Sequence, residues 1–157
     1  MKNEIYINFT IRGILMAGRH ITIDARVEDS KVFSHENLSK FFCDLAKLLD
    51  MEIIFGPVFK DVELDPKKLE EVQAGGKFQD EGGTTGMVVI STSHISIHTW
   101  EMRKFFQLDV FSCKDYDGKL ALDYIKKELG VTYAAICEIV RHDDGGAPEV
   151  VRSYVEI

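Results

Sequence analysis

Segment 87–100, MVVISTSHISIHTW, interleaves His94 and His98 with the hydroxyls of Ser91, Thr92, Ser93, Ser96 and Thr99 and ends in a tryptophan; LDVFSC follows and brings a thiol, Cys113. Hydroxyls attack carbonyls, imidazoles take up and return protons, and a thiol can do either. Three chemistries compete for these residues. His94, His98 and Cys113 could ligate zinc, but histidines four apart share one face of a helix, whereas HISIH is alternating and β-branched and reads as a strand. Ser93 with His98 could be a nucleophile and its base, yet no Gly-x-Ser-x-Gly elbow and no orienting acid accompany them. The third reading is a sheet segment whose polar side chains satisfy local hydrogen bonds, the default for any one of these residues taken singly.

The elements that must position these residues can be read around them. MVVIS, HISIHTW and FFQLDVFSC form three closely spaced strands, and EMRK (101–104) has the length of a hairpin loop. With Trp100 opposite Phe105, that loop places Cys113 opposite Thr92 and alongside Ser93. On an extended strand Ser93 and His98 face opposite ways, so a shared site requires Ser93 to lie in the turn before the strand. Upstream, EIYINFT and RHITIDARV alternate as strands, with Gly13 and Gly18 as turn points between them. SHENLSKFFCDLAKLLD spaces Leu38, Phe41, Phe42, Leu45, Leu48 and Leu49 as one face of a helix capped by Ser34. MEIIFGPVF reads as a buried strand, LDPKKLEEVQ as a short charged helix with Pro66 in its first turn, and AGGKFQDEGGTTG as a flexible loop. DGKLALDYIKKELG is a second amphipathic helix stopped by Gly130, and TYAAICEIV and EVVRSYVEI are closing strands around HDDGGAP. The expected fold class is α+β: a two-layer sandwich, mainly antiparallel sheet with helices on one face.

Composition bounds what such a protein does. The 157 residues, 45% hydrophobic and 29% charged, suit one domain, 1–157, with a substantial core. With 19 basic against 26 acidic residues, net −7, and no lysine or arginine cluster, no nucleic-acid partner is expected. No stretch reaches membrane-spanning length and the start lacks a signal-peptide layout, so no membrane partner is expected either. Cys43, Cys113 and Cys137 fit no disulfide framework or metal motif, which points to a reducing, cytoplasmic setting and to no bound metal.

Taken together, STSHISIHTW followed by LDVFSC resembles the bacterial and archaeal S-adenosylmethionine decarboxylases, the small pyruvoyl-dependent enzymes of polyamine synthesis. Ser93, His94, His98, Thr99, Trp100, Asp109, Phe111, Ser112 and Cys113 fall on that family's pattern without a gap, and GRHITIDARVED resembles its Gly-x-His strand, with Asp24 as the acid. The likeness covers most of the chain and is specific within 85–113. The first sixteen residues and 60–82 have no clear counterpart in the compact members.

The resemblance implies a proenzyme that makes its own pyruvoyl cofactor. The Ser93 hydroxyl would attack the Thr92 carbonyl, turning the amide into an ester. With His98 helping to remove the α-proton, elimination and hydrolysis would leave a β chain, 1–92, and an α chain, 93–157, that begins with the pyruvoyl group. That carbonyl would form a Schiff base with the substrate amine and accept the electrons released with carbon dioxide. Cys113 would return the proton to the product, and Thr85 stands where the family has a serine that assists processing. Phe78 is the candidate to stack on adenine.

Two positions depart from the family pattern. Thr92 replaces the usual glutamate before the cleavage serine, which attack on a backbone carbonyl tolerates. Met102 replaces the glutamate expected to hold ribose hydroxyls and cannot accept those bonds; Glu101, one position earlier, is the candidate substitute. S-adenosylmethionine is therefore the first substrate expected, with the same chemistry on ornithine or arginine, or an unprocessed regulatory homologue, as alternatives. The family's sheets meet between protomers, so a homodimer of processed αβ protomers is implied.

Overall fold

Period-two alternation of apolar and polar residues builds most of this molecule, because a strand so patterned buries one face and leaves the other to solvent or a partner. The computed structural model describes residues 16–63, 82–142 and 146–156. In chain order these form β1 (Met16–Val27), α1 (His35–Leu48), β2 (Ile53–Val62), β3 (Gly83–Ile90), β4 (Ser93–Trp100), β5 (Phe105–Ser112), α2 (Gly118–Leu129), β6 (Val131–His142) and β7 (Glu149–Glu156). The seven strands make one sheet in the order β2-β3-β4-β5-β1-β6-β7, every neighbouring pair antiparallel. Both helices cover the same face, so the expected two-layer α+β sandwich is present.

Ile21, Ile23 and Ala25 of β1, Val88 and Ile90 of β3, Ile95 and Ile97 of β4, and Phe106, Leu108 and Val110 of β5 form the sheet's contribution to the core. Against them pack Leu38, Phe41, Phe42 and Leu45 of α1 and Leu122, Ile125 and Leu129 of α2. Each of these side chains except Ala25 contributes about 1.5–3 kcal/mol on burial. The helix ends lie where their capping residues put them. Ser34 Oγ accepts from the Asn37 N–H at 3.3 Å, the Asp117 carboxylate from the Leu120 N–H at 3.0 Å, and Gly130 closes α2 at φ +61°.

One charge lies within this core. Glu138 of β6 is fully buried and pairs with the Arg19 guanidinium; Arg152 Nε stands 3.2 Å from its second oxygen, off the line of a hydrogen bond. Arg19 also holds Asp115 at 2.9 Å, which ties the start of β1 to the segment entering α2. That segment carries Tyr116, whose buried hydroxyl donates to the Val110 carbonyl at 2.8 Å and is pushed well above the ordinary tyrosine range by burial.

Three expectations need correction. Gly18 is not a turn point between strands: it lies within β1, at a register shift against β6. MEIIFGPVF does not become a buried strand: β2 is the sheet's edge, with Ile54 and Phe55 62% and 60% exposed, because nothing pairs with its outer side among the described residues. The glycine-rich loop ends earlier than read, since β3 begins at Gly83 and puts Thr84 and Thr85 in the sheet. The EIYINFT strand, the LDPKKLEEVQ helix and Phe78 lie outside the described residues.

The face away from the helices carries no covering element among the described residues. Register assigns to it His94, Ser96, His98 and Trp100 of β4, Asp109 and Phe111 of β5, and His20, Thr22 and Asp24 of β1. At its two margins stand Phe55, Val58 and Val62 of β2 and Val150 and Val155 of β7, all exposed.

Candidate active site

The turn joining β3 to β4 consists of Ser91 and Thr92, with Ile90 paired to Ser93 across it. Register between β4 and β5 runs from Trp100 opposite Phe105 to Ser93 opposite Ser112, as the hairpin length predicts. Ser93 has φ +150°, a backbone region that side-chain-bearing residues rarely occupy and that costs of order 1–3 kcal/mol. The strain falls on the peptide that would be rearranged.

Around that peptide the polar groups converge. The Cys113 N–H donates to the Thr92 carbonyl oxygen at 3.0 Å. Ser112 Oγ donates to Thr92 Oγ1 at 2.9 Å and accepts the Lys114 N–H at 2.9 Å, while Lys114 Nζ reaches the Asp50 carbonyl at 2.8 Å. Gly18 supports this corner from β1: a Cβ there would lie 2.7 Å from the Ser112 carbonyl oxygen and 3.2 Å from Cys113 Cα. The Cys113 side chain is exposed as a free thiol beside the turn.

The imidazoles divide into two groups. His94 sets Nδ1 3.1 Å from the Ser93 hydroxyl and meets the Phe111 ring edge-on at 6.0 Å between centroids. Phe111 also packs against His20 at 5.4 Å and carries the Arg141 guanidinium 4.0 Å from its ring centre, a cation–π contact. His20 Nε2 lies 3.3 Å from Asp109 Oδ1. His98 belongs elsewhere. Its Nδ1 is 2.6 Å from Thr85 Oγ1 and its ring stands edge-to-face on Trp100, 4.2 Å away. At about 3.3 Å per residue, five residues of strand put His98 roughly 16 Å from Ser93.

Within one chain, therefore, Ser93, Thr92 and Cys113 come together and His98 with Thr85 forms a second cluster farther along the same face. Glu101 joins neither. It turns toward the helix side, where its carboxylate is 3.5 Å from Thr84 Oγ1, beside a cavity shared with Asp61 and His35. Asp61 accepts from the Thr84 hydroxyl at 2.7 Å and lies 2.8 Å from His35 Nε2, contacts that hold its carboxyl below the usual carboxylate range.

A family model described as S-adenosylmethionine decarboxylase matches residues 19–142, most of the chain. The chain belongs to the S-adenosylmethionine decarboxylase family. Curated relatives named S-adenosylmethionine decarboxylase proenzyme include one from Pyrococcus horikoshii, 29% identical over 126 residues and covering 79% of this chain and 78% of its own length. Another, from Thermococcus kodakarensis, is 29% identical and covers 88% of both chains. One from Anoxybacillus flavithermus is 37% identical over 100 residues, 63% of this chain and 78% of its own. The solved adenosylmethionine decarboxylase of Aquifex aeolicus shares the fold, with a TM-score of 0.55 at 24% identity over 81% of this chain and 90% of that one. The family's enzymes are self-processing decarboxylases that generate a pyruvoyl group from their own chain.

The motif reading named Gly18 and Phe111 without the roles they take here: the missing side chain of Gly18 makes room for the Ser112–Cys113 backbone, and Phe111 centres a ring–guanidinium stack. Gly18 was read as a turn point and as the first residue of the Gly-x-His resemblance, neither of which signals its packing against β5, and Arg141 carried no signal because its partner is distant in the chain.

Proposed function

We propose that this chain is a proenzyme that cleaves itself between Thr92 and Ser93 and then decarboxylates S-adenosylmethionine. The observation that carries this reading is the strained Ser93 backbone together with the Cys113 N–H on the Thr92 carbonyl. Attack by Ser93 Oγ places negative charge on that carbonyl oxygen, where a fixed N–H already points; one such donor is commonly worth about 10²–10³ in rate. Relief of the φ +150° conformation favours the same step. The residues present therefore fit a pyruvoyl group formed at position 93. That group supplies an electrophilic carbonyl that holds the substrate amine and takes up the electrons released with carbon dioxide. Cys113, one residue past the end of β5 beside the Thr92–Ser93 peptide and open to solvent, is placed to hand a proton to the product carbon.

His98 and Thr85 complete the processing machinery from a second copy of the chain in this reading. Roughly 16 Å of strand separates His98 from the Ser93 of its own chain, and the sheet face that carries His98, without cover among the described residues, is flanked by exposed Phe55, Val58, Val62, Val150 and Val155. Two such faces packed about a two-fold axis bury these side chains and bring each His98 toward the other copy's turn. A homodimer in a reducing cytoplasm, with free thiols, is the working form proposed.

The test is the intact mass of the denatured protein beside its Ser93→Ala variant, followed by carbon dioxide release from a panel of amines. Fragments meeting at Thr92/Ser93, the C-terminal one carrying a carbonyl in place of its amine, and turnover of S-adenosylmethionine alone are expected. A full-length chain that never cleaves, or turnover of ornithine or arginine instead, would refute the corresponding half of the proposal.

A further inference from the structure

We infer that His94 is the base that takes the Ser93 hydroxyl proton in the first step of self-cleavage, leaving His98 for the later removal of the α-proton. This rests on the reading of Ser93 as the processing residue and assigns a group that the reading leaves without a role. Neighbouring side chains on a regular strand point to opposite faces. The 3.1 Å approach of Ser93 Oγ to His94 Nδ1 therefore depends on the φ +150° backbone at Ser93, the first residue of β4, which brings the hydroxyl to the imidazole.

Two other candidates for this proton are engaged or distant. Ser112 Oγ bonds Thr92 Oγ1, and His98 Nδ1 bonds Thr85 Oγ1 five residues along the strand. His94 is held by Phe111, which is itself fixed by Arg141 and His20. As the neutral Nε2–H tautomer, His94 presents Nδ1 as an acceptor.

The step balances. The Ser93 proton passes to His94 Nδ1 while Oγ bonds to the Thr92 carbonyl carbon, and the carbonyl electron pair moves onto the oxygen held by the Cys113 N–H. Collapse breaks the carbon–nitrogen bond, and the departing Ser93 nitrogen takes the proton back from Nδ1. An ester and a free amine result, with no atom gained or lost and no co-reactant. His94 touches the reacting oxygen and is catalytic in this sense.

Hydroxylamine separates the two histidines because it splits an ester at 92/93 and leaves an amide intact. His94→Gln is expected to slow cleavage by about 10²-fold or more, in line with loss of a general base, and to accumulate a precursor that hydroxylamine does not cut. His98→Ala should accumulate one that it does cut. His94→Phe, which keeps a ring against Phe111, should behave like His94→Gln, and added imidazole should restore cleavage to His94→Ala; a merely structural role would not respond to imidazole. Wild-type cleavage rates in His94→Gln and His94→Phe, or an accumulated hydroxylamine-sensitive ester in either, would overturn the inference while leaving the pyruvoyl reading intact. A wild-type chain that never cleaves takes both down.

Discussion

Replacing Gly18 by alanine should cripple self-cleavage without touching any group that reacts. The added methyl would stand 2.7 Å from the Ser112 carbonyl oxygen. An ordinary carbon–oxygen contact is about 3.3 Å, so the carbonyl must retreat by about 0.6 Å. Ser112 is fully buried, and its carbonyl carbon is bonded to the Cys113 nitrogen, whose N–H lies 3.0 Å from the Thr92 oxygen. A displacement of that size along the bond stretches it to about 3.6 Å, beyond hydrogen-bond range. Losing one donor to a developing oxyanion costs about 2.7–4 kcal/mol, or about 10²–10³ in rate, while crowding a packed site costs about 1–3 kcal/mol in stability. The assay is a time course of the uncleaved chain and its two products by intact mass, with a thermal melt alongside. Gly130→Ala is the control: its φ of +61° makes it strained, but nothing lies within 4 Å of the new methyl, so it should lose stability and still cleave at the parental rate. A folded Gly18→Ala chain that cleaves within about threefold of wild type would refute the oxyanion argument.

Other outcomes follow from the same geometry. If the partner copy supplies His98, refolding Ser93→Ala with His98→Ala chains in equal amounts should restore cleavage to about half of the His98→Ala chains, those in mixed dimers; no restoration would place His98 in its own chain's chemistry or outside processing altogether. Removing the carboxylate between Arg19 and Arg152 with Glu138→Ala, made in the uncleavable Ser93→Ala chain, should cost about 2–3 kcal/mol, below the value for a fully buried pair because both arginines keep some solvent. At about 2–4 °C per kcal/mol, the melting temperature should fall by about 4–12 °C, and a change under about 2 °C would contradict the buried-pair account. Asp61, held low chiefly by the Thr84 hydroxyl and then by His35, contributes stability that is present above the ordinary carboxylate range and lost as pH falls through its own lowered value. Thr84→Val should move the Asp61 carboxyl titration upward by NMR, and an unmoved titration would remove the hydroxyl as the cause.

What the sequence revealed and what it withheld divide along the range of the interactions. The β4–β5 register followed from one loop length because antiparallel pairing propagates a single correct opposition along both strands, and so Cys113 could be set beside Thr92 before any fold was known. The two described helices were legible for a similar local reason: Ser34 acts on its own first turn and Gly130 on its own last turn. Burial of β2 was misread because an apolar run is compatible with a central strand or with an edge awaiting cover, and strand order is decided by contacts far apart in sequence. The same limit governs the site. Strand parity alone sets Ser93 and His94 on opposite faces, and only the φ of +150° at Ser93 brings them together. Parity likewise separates Ser93 from His98, and in this case the fold does not reconcile them within one chain. If Ser93 is the processing residue, its strained backbone and the displacement of His98 along the same sheet face leave the first step to the chain's own neighbours, Cys113 and His94. In that proposal the second step awaits a partner, which would make cleavage conditional on assembly.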